Sequence, residues 1–171
     1  LDTLYEKLPG LQLVAEDLGD LRPQVLALRD HYQLPGMKVL EFTLEPVGRY
    51  IRDLGEDRVR QIVYTGTHDN ATAAEWYAAC SPAYRRKLRK YLKVRGIQSG
   101  PMAHRLIRLG LSSQAELCIV PLQDVLHLGK EARMNTPGTV GAPNWEWRLA
   151  DWTETERNLA LLRPAILARR G

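Results

Sequence analysis

Acidic side chains follow three short apolar segments of this 171-residue chain, and they are the residues best placed to do chemistry. In chain order, these acids are Glu16 with its neighbour Asp17, then Asp69, then Asp124. If the apolar segments are parallel strands, their carboxyl ends share one edge of a sheet, where α/β proteins place their active sites. The pattern therefore predicts that the acids converge on one cleft.

An acid at the end of a strand can also act as the N-cap of the next helix. Asp20 and Asp124 fit that simpler interpretation. Glu16 does not, because glutamate is a weak N-cap and Asp20 is better placed for that task. Asp69 is also an awkward cap, since Asn70 follows it and is suited to open the next helix.

Three neighbouring side chains have two interpretations each. His68 is aimed into the same cleft as Asp69, or it is a structural histidine whose ring bonds a backbone carbonyl. Trp145 and Trp147 could stack on the rings of a ligand, or they could anchor a loop together with Arg148. The sequence leaves these alternatives open.

The motifs that the rest of the sequence lacks exclude several kinds of reaction. The chain has no metal-ligand spacing, no motif for a serine or cysteine nucleophile and no phosphate-binding glycine loop, so we expect no metal and no cofactor. General acid/base catalysis on an uncharged substrate remains, and glycoside transfer is its main example. That reaction uses one protonated carboxyl to release the leaving group and one ionised carboxylate to stabilise an oxocarbenium-like centre.

Alternating elements must position these acids. Apolar runs predict strands, and helical spacing predicts the segments between them. The predicted strands are residues 11–15, 37–44, 61–66 and 115–122, and the predicted helices are residues 21–32, 71–79, 99–111, 153–169 and one that starts at Ser81. Strands separated by helices predict a parallel sheet, either doubly wound or a (β/α) barrel, and periodicity cannot separate the two.

The overall composition indicates a folded chain with one basic segment. There are 24 Lys and Arg residues against 20 Asp and Glu, and the excess lies in residues 84–95. This segment could bind nucleic acid, but Leu88, Tyr91 and Leu92 recur at helical spacing, which favours an amphipathic helix with a solvated basic face. Cys80 and Cys118 indicate buried thiols rather than a disulfide or zinc site.

The apolar runs are far shorter than the roughly 20 residues that a membrane span needs. We therefore expect no membrane association and a cytoplasmic location. The sequence begins with Leu1 and Asp2 rather than Met, so we expect the gene product to start earlier.

Six motifs in chain order resemble a known family, the 4-alpha-glucanotransferases of glycoside hydrolase family 77, also called amylomaltases or disproportionating enzymes. They are VAEDLG (14–19), LPGMKVLEF (34–42), VYTGTHDN (63–70), PLQDVLHLG (121–129), RMNTPGT (133–139) and NWEWR (144–148). Together they extend over nearly the whole chain, which makes the resemblance specific.

The resemblance implies a (β/α)8 TIM barrel and retaining transfer of α-1,4-glucan segments between maltooligosaccharides. By motif, Glu16 is the general acid/base and Asp69 is the carboxylate that stabilises the transition state. His68 and Asn135 are expected to bind the glucan, and Glu45 matches a glucan-binding position less closely. The expected partners are α-1,4-glucans and maltooligosaccharides.

One part of the family's machinery is missing. Its nucleophilic aspartate lies in an Arg-Ile-Asp-His-like motif, and residues 29–31 (Arg-Asp-His) lie in a predicted helix. We therefore interpret residues 1–171 as the carboxyl-terminal portion of the catalytic domain, which needs the amino-terminal half of the barrel and is inactive alone. The alternative is a non-catalytic glucan-binding or structural remnant.

Overall fold

The computed structural model describes residues 1–14, 16–19, 21–53 and 60–170. By internal contacts the chain forms two compact units, Leu1–Met37 and Lys38–Gly171. The helices are α1 (Asp2–Lys7), α2 (Pro23–His31), α3 (Leu40–Thr43), α4 (Ala73–Ala79), α5 (Pro82–Val94), α6 (Met102–Leu111), α7 (Leu122–Val125) and α8 (Thr153–Arg170). The strands are β1 (Gly36–Val39), β2 (Leu44–Val47), β3 (Tyr50–Asp53), β4 (Gln61–Tyr64) and β5 (Leu117–Ile119).

The first unit carries α1 and α2 and lacks the strand that we predicted there. Pro23 lies at the start of α2, where a missing N–H costs nothing. The predicted strand 11–15 is wrong for residues 11–14, which form no strand, and Ala15 lies outside the described residues. An apolar run becomes a strand only when a neighbour supplies ladder hydrogen bonds, whereas Leu11 N–H bonds the carbonyl of Leu8 at 3.2 Å.

The sheet of the second unit confirms part of the predicted alternation. Three strands lie in the order β1, β4, β5, and β1 begins in the last residues of the first unit. β4 and β5 are parallel, with Ile62 opposite Leu117. The segment between them holds α4, α5 and α6, so this part of the chain is an α/β arrangement with a helical crossover.

The predicted strand 37–44 is shorter than expected and is followed by a hairpin. It ends at Val39, α3 follows, and β2 pairs with β3 in an antiparallel hairpin that we did not predict. An ion pair and a hydrogen bond hold the base of the hairpin. Lys38 Nζ lies 2.7 Å from Asp53 Oδ1, and the two side chains are only 5% and 3% exposed. The Tyr84 hydroxyl also donates to the Leu44 carbonyl at 2.6 Å.

The basic segment forms α5, an amphipathic helix as predicted. Leu88 and Leu92 are fully buried in the core of the second unit, and Tyr91 is nearly so. Two basic side chains of the segment make local contacts. Arg89 donates to the Tyr77 hydroxyl, and Arg95 lies over the Tyr91 ring at 3.7 Å.

None of the helices in the described residues has the length and apolarity that a membrane span needs.

Candidate active site

The predicted site centres on the loop that follows β4, residues 65–72, which carries His68 and Asp69. Asn70 shapes this loop from inside, because its Oδ1 accepts from the Thr67 N–H at 2.8 Å and the Thr67 hydroxyl at 2.7 Å. The prediction that Asn70 caps the next helix is therefore wrong. Thr72 is the N-cap of α4, and its hydroxyl accepts from the Glu75 N–H.

A second segment holds this loop from the side. Asn135 Nδ2 donates to Asp69 Oδ1 at 2.6 Å, and the Asn135 N–H donates to the His68 carbonyl at 3.1 Å. Arg133 donates to the backbone carbonyls of Asp69 and Asn135 at 3.0 and 2.9 Å. The structure thus brings together three of the predicted site residues, His68, Asp69 and Asn135.

The side chain of His68 lies at the surface rather than under the site. His68 and Asp69 are 50% and 44% exposed, and His68 Nε2 lies 3.4 Å from Asp69 Oδ1. The imidazole ring packs beside the Trp145 ring, with 5.3 Å between their centroids. This environment favours an exposed residue over a buried structural histidine.

Trp145 is both anchored and exposed. Its backbone has a φ of 64°, a conformation that bulky residues rarely adopt, and its N–H donates to the Met134 carbonyl at 2.7 Å. Arg148 donates to the carbonyls of Trp145 and Trp147, so these residues do fix the loop. The Trp145 ring nevertheless remains 54% exposed beside His68, where an aromatic face can receive a ligand ring.

Glu16 lies in the first unit, and its side chain is exposed. It makes no hydrogen bond or ion pair within the described part of the chain, whereas its neighbour Asp17 bonds Arg29 at 2.9 Å and the Met37 N–H at 2.7 Å. Asp17 therefore has a structural role. Glu16 and Asp69 belong to different units, so their convergence stays a prediction.

The other predicted positions lie on separate elements. Glu45 is on β2, where its carboxylate pairs with Arg52 across the hairpin. No hydrogen bond or ion pair joins it to His68, Asp69 or Asn135 among the described residues, so its glucan-binding role stays a prediction. Residues 29–31 lie in α2, as predicted, and Asp20 lies outside the described residues.

Asp124 lies beneath the loop and not in an open cleft. It is 1% exposed; its Oδ1 accepts from the Ala73 N–H at 2.7 Å and its Oδ2 from the Thr65 hydroxyl at 2.5 Å. Burial raises the pKa of this carboxyl, and the two hydrogen bonds oppose that shift. The expectation that Asp124 caps the helix after its strand is wrong, because Asp124 lies within α7 and does not cap it. Its carboxylate instead accepts from the first N–H of α4, which starts 51 residues earlier.

Glu41 is a buried acid that the sequence interpretation missed. Burial raises its pKa to about 9, with a further contribution from Asp124, against the lowering effect of Arg133. Its Oε1 lies close under the loop, since a Cβ on Gly66 would come within 3.4 Å of it. A signal was present, because Glu41 is a charged residue inside the apolar run Val39–Phe42.

Glu41 should make the stability of this protein fall as the pH rises. Its folded pKa of about 9 lies above the ordinary 4.5, so the folded state keeps a proton that the unfolded state has released. The contribution is complete below pH 4.5 and is lost as the pH rises toward 9. Urea unfolding at several pH values should show a slope of up to about 1.4 kcal/mol per pH unit.

Glu41→Gln should remove most of that slope and raise the free energy of unfolding near pH 8, because glutamine is neutral at every pH. Glu154→Gln is a matched control, since Glu154 is exposed on α8, and it should leave the slope unchanged. An unchanged slope in the Glu41→Gln variant would show that Glu41 is ionised in the folded protein.

Comparison with known proteins identifies relatives of this chain. A family model described as 4-alpha-glucanotransferase matches residues 1–154. The chain is 43% identical over 151 residues to a 4-alpha-glucanotransferase of Thermus thermophilus, which covers 85% of this chain and 30% of that protein. It is 45% identical over 150 residues to one of Synechocystis, with 84% and 29% covered.

A solved structure has the same fold over the length of this chain. The amylomaltase from Streptococcus agalactiae in complex with acarbose superimposes with a TM-score of 0.85 and 28% sequence identity. The match covers 99% of this chain and 34% of that protein, so the chain spans about a third of the length of its relatives. Because the family model extends over most of the sequence, this chain belongs to the 4-alpha-glucanotransferase family, glycoside hydrolase family 77.

Proposed function

We propose that this chain is the later part of a retaining 4-alpha-glucanotransferase, which moves α-1,4-glucan segments between maltooligosaccharides. The observation that carries the proposal is the Asp69 carboxylate, which is 44% exposed, held by Asn135 and flanked by His68. A fixed carboxylate that faces solvent beside an exposed aromatic ring suits a sugar substrate whose transition state is positively charged.

In this proposal Asp69 acts as the ionised carboxylate and Glu16 as the general acid/base. The bond from Asn135 fixes the direction in which one Asp69 oxygen points and leaves the other for the sugar. Glu16 is exposed and makes no hydrogen bond or ion pair within the described residues, so its carboxyl group is free to approach a leaving oxygen. The two carboxyls would then perform the two roles that glycoside transfer requires.

His68, Trp145 and Asn135 would bind the sugar that is transferred. The exposed face of Trp145 suits stacking on the apolar face of a glucose ring, and His68 can bond a hydroxyl from beside it. Glu45 would bind a sugar farther along the glucan, after releasing Arg52.

The proposed fold is a (β/α)8 barrel, and residues 1–171 would supply the carboxyl-terminal portion of its catalytic domain. The likeness to the amylomaltase structure supports this assignment. The nucleophilic aspartate would come from the amino-terminal half, because this sequence holds no Arg-Ile-Asp-His motif. The cytoplasmic location stays a prediction from the sequence.

A hybrid protein tests the proposal directly. In this protein, called the Thermus hybrid below, the present chain replaces the aligned segment of the Thermus thermophilus relative. The Thermus hybrid should convert maltotriose into glucose and longer maltooligosaccharides, which chromatography of the products would detect. The 171-residue chain alone should give no transfer, because it lacks the nucleophile.

The second candidate, a non-catalytic glucan-binding remnant, makes the opposite prediction. The missing nucleophile motif is the observation in its favour. A folded Thermus hybrid that binds acarbose but releases no glucose would support the remnant and contradict the transferase. The Thermus protein from which the aligned segment has been deleted is the negative control for glucose release.

A further inference from the structure

One buried carboxylate joins the two ends of the loop that carries His68 and Asp69. Thr65 directly follows β4 and Ala73 is the first residue of α4, and both are fully buried. Asp124 accepts a hydrogen bond from each of them, through a different oxygen, at 2.5 and 2.7 Å. The separation of the loop ends is therefore set by the width of one carboxylate.

Asp124 is itself held in place. It lies on α7, and the neighbouring Val125 carbonyl accepts a hydrogen bond from His104 Nε2 at 2.7 Å. A carbonyl can only accept, so this nitrogen of His104 is the donor. His104 is 1% exposed on α6, which fixes α7 to a helix of the core.

The loop between these ends has little freedom of its own. Asn70 accepts from both the N–H and the hydroxyl of Thr67, and Arg133 with Asn135 holds the backbone and side chain of Asp69. The side contacts fix the middle of the loop, and Asp124 fixes its ends. A shift at the ends would move Asp69 away from the atoms that Arg133 and Asn135 bond.

We propose that Asp124 and Thr65 are positioning residues for glucan transfer, which hold the ends of the 65–73 loop so that Asp69 meets the transition state. This inference rests on the proposed function. Neither residue touches the substrate in this proposal, since both are buried. A displacement of about 1 Å at a group that acts in the transition state lowers the rate by about a hundredfold.

Thr65→Val and Thr65→Ser form the decisive pair in the Thermus hybrid. Valine keeps the branched shape and removes the hydroxyl, so Asp124 Oδ2 loses its bond, whereas serine keeps the hydroxyl. Thr65→Val should lower kcat by about tenfold to a hundredfold with a much smaller change in KM, because Asp69 acts mainly in the transition state. Thr65→Ser should stay within about twofold of the parent.

Thr155→Val is a matched control for the loss of a buried threonine hydroxyl. Thr155 is 1% exposed on α8, and its hydroxyl has no hydrogen-bond partner among the described residues. This variant should keep the kcat of the parent. Rates are divided by the folded fraction from circular dichroism, so that a loss of folded protein does not count as a loss of catalysis.

Amide hydrogen exchange on the 171-residue chain tests the same inference without activity. Thr65→Val should speed exchange at the Ala73 N–H and across residues 66–72, while the amides of α5 and α6 keep the parent rates. Should Thr65→Val fail to fold, Asp124→Asn and Asp124→Ala replace it. Asparagine can accept from Ala73 and donate to Thr65, so it should retain far more activity than alanine.

The outcomes separate the two proposals. An inactive parent hybrid contradicts the proposed function. The exchange measurement then tests by itself whether Thr65 and Asp124 hold the ends of the loop. An active parent with equal kcat for Thr65→Val overturns the positioning role, as does unchanged exchange across the loop. Equal losses for Asp124→Asn and Asp124→Ala would overturn it as well.

Discussion

Glu16→Gln in the Thermus hybrid is expected to lower kcat for maltotriose disproportionation by about 10²- to 10⁴-fold. Glutamine has nearly the size of glutamate but carries no proton to give to the leaving oxygen. The side chain is exposed and makes no hydrogen bond or ion pair within the described residues, so its replacement should leave the fold and its stability intact. The measurement is the initial rate of glucose release.

The leaving group distinguishes a general acid from a binding residue. A glycosyl fluoride needs little proton donation, so the Glu16→Gln variant should release a first equivalent of fluoride from α-maltotriosyl fluoride in a burst at a rate close to that of the parent. Later turnovers should be slow, because Glu16 also serves as the base that activates the acceptor. Loss of this burst would assign Glu16 another role, and normal turnover of maltotriose would refute the assignment outright. Glu6→Gln, also exposed in the first unit, is the matched control.

The second large effect concerns stability. Asp53→Asn should lower the free energy of unfolding by about 3–5 kcal/mol, because it leaves the Lys38 ammonium buried beside a neutral amide. Lys38 and Asp53 are almost fully buried and lie 2.7 Å apart, and the Tyr91 hydroxyl donates to the second oxygen of Asp53 at 3.1 Å. Urea unfolding followed by circular dichroism gives the difference.

Two further variants separate charge from packing. Replacing both partners, Lys38→Met with Asp53→Leu, should cost much less than Asp53→Asn, since no buried charge remains. Arg52 precedes Asp53 on β3 and forms an exposed ion pair with Glu45. Arg52→Gln breaks this pair and should change the free energy of unfolding by about 1 kcal/mol or less. If Asp53→Asn unfolds at the same urea concentration as the parent, the buried pair contributes nothing.

The part of the site that the sequence could predict depends on local signals. Residues 61–66 form an apolar run with polar residues at its end, so the strand β4 and the position of His68 and Asp69 follow from neighbours in the chain. α5 was equally accessible, because the helical spacing of its apolar residues extends over several turns. Asn135 was assigned from its motif, and it lies beside Asp69, to which it donates a hydrogen bond.

The features that were missed depend on distant contacts. Asp124 bonds Ala73, which lies 51 residues earlier, and no local pattern shows which helix a carboxylate will cap. The raised pKa of Glu41 comes from burial, which only the fold creates. The run at residues 11–14 has strand-like composition, but a ladder needs a partner that composition cannot supply.

The hairpin was missed for a different reason, since a local signal existed. Gly48 has a φ of 52° and follows Val47 in a two-residue turn between two short strands. Glycine at the first position of such a turn is a known hairpin signal. Proline at residue 46 argued against a strand. Among the described strands, however, β2 pairs with β3 alone, and proline is tolerated on an edge strand.

Because a buried ion pair holds the base of this hairpin, the residues that stabilise it differ from those that form its exposed surface. Lys38 and Asp53 hold the base, while residues 46–50 at the tip are exposed. Substitutions at the tip can therefore change the shape and charge of this surface with little cost to folding, because the energy that keeps the hairpin in place lies elsewhere. In evolutionary terms the hairpin tip is a place where surface residues can diversify while the scaffold stays constant.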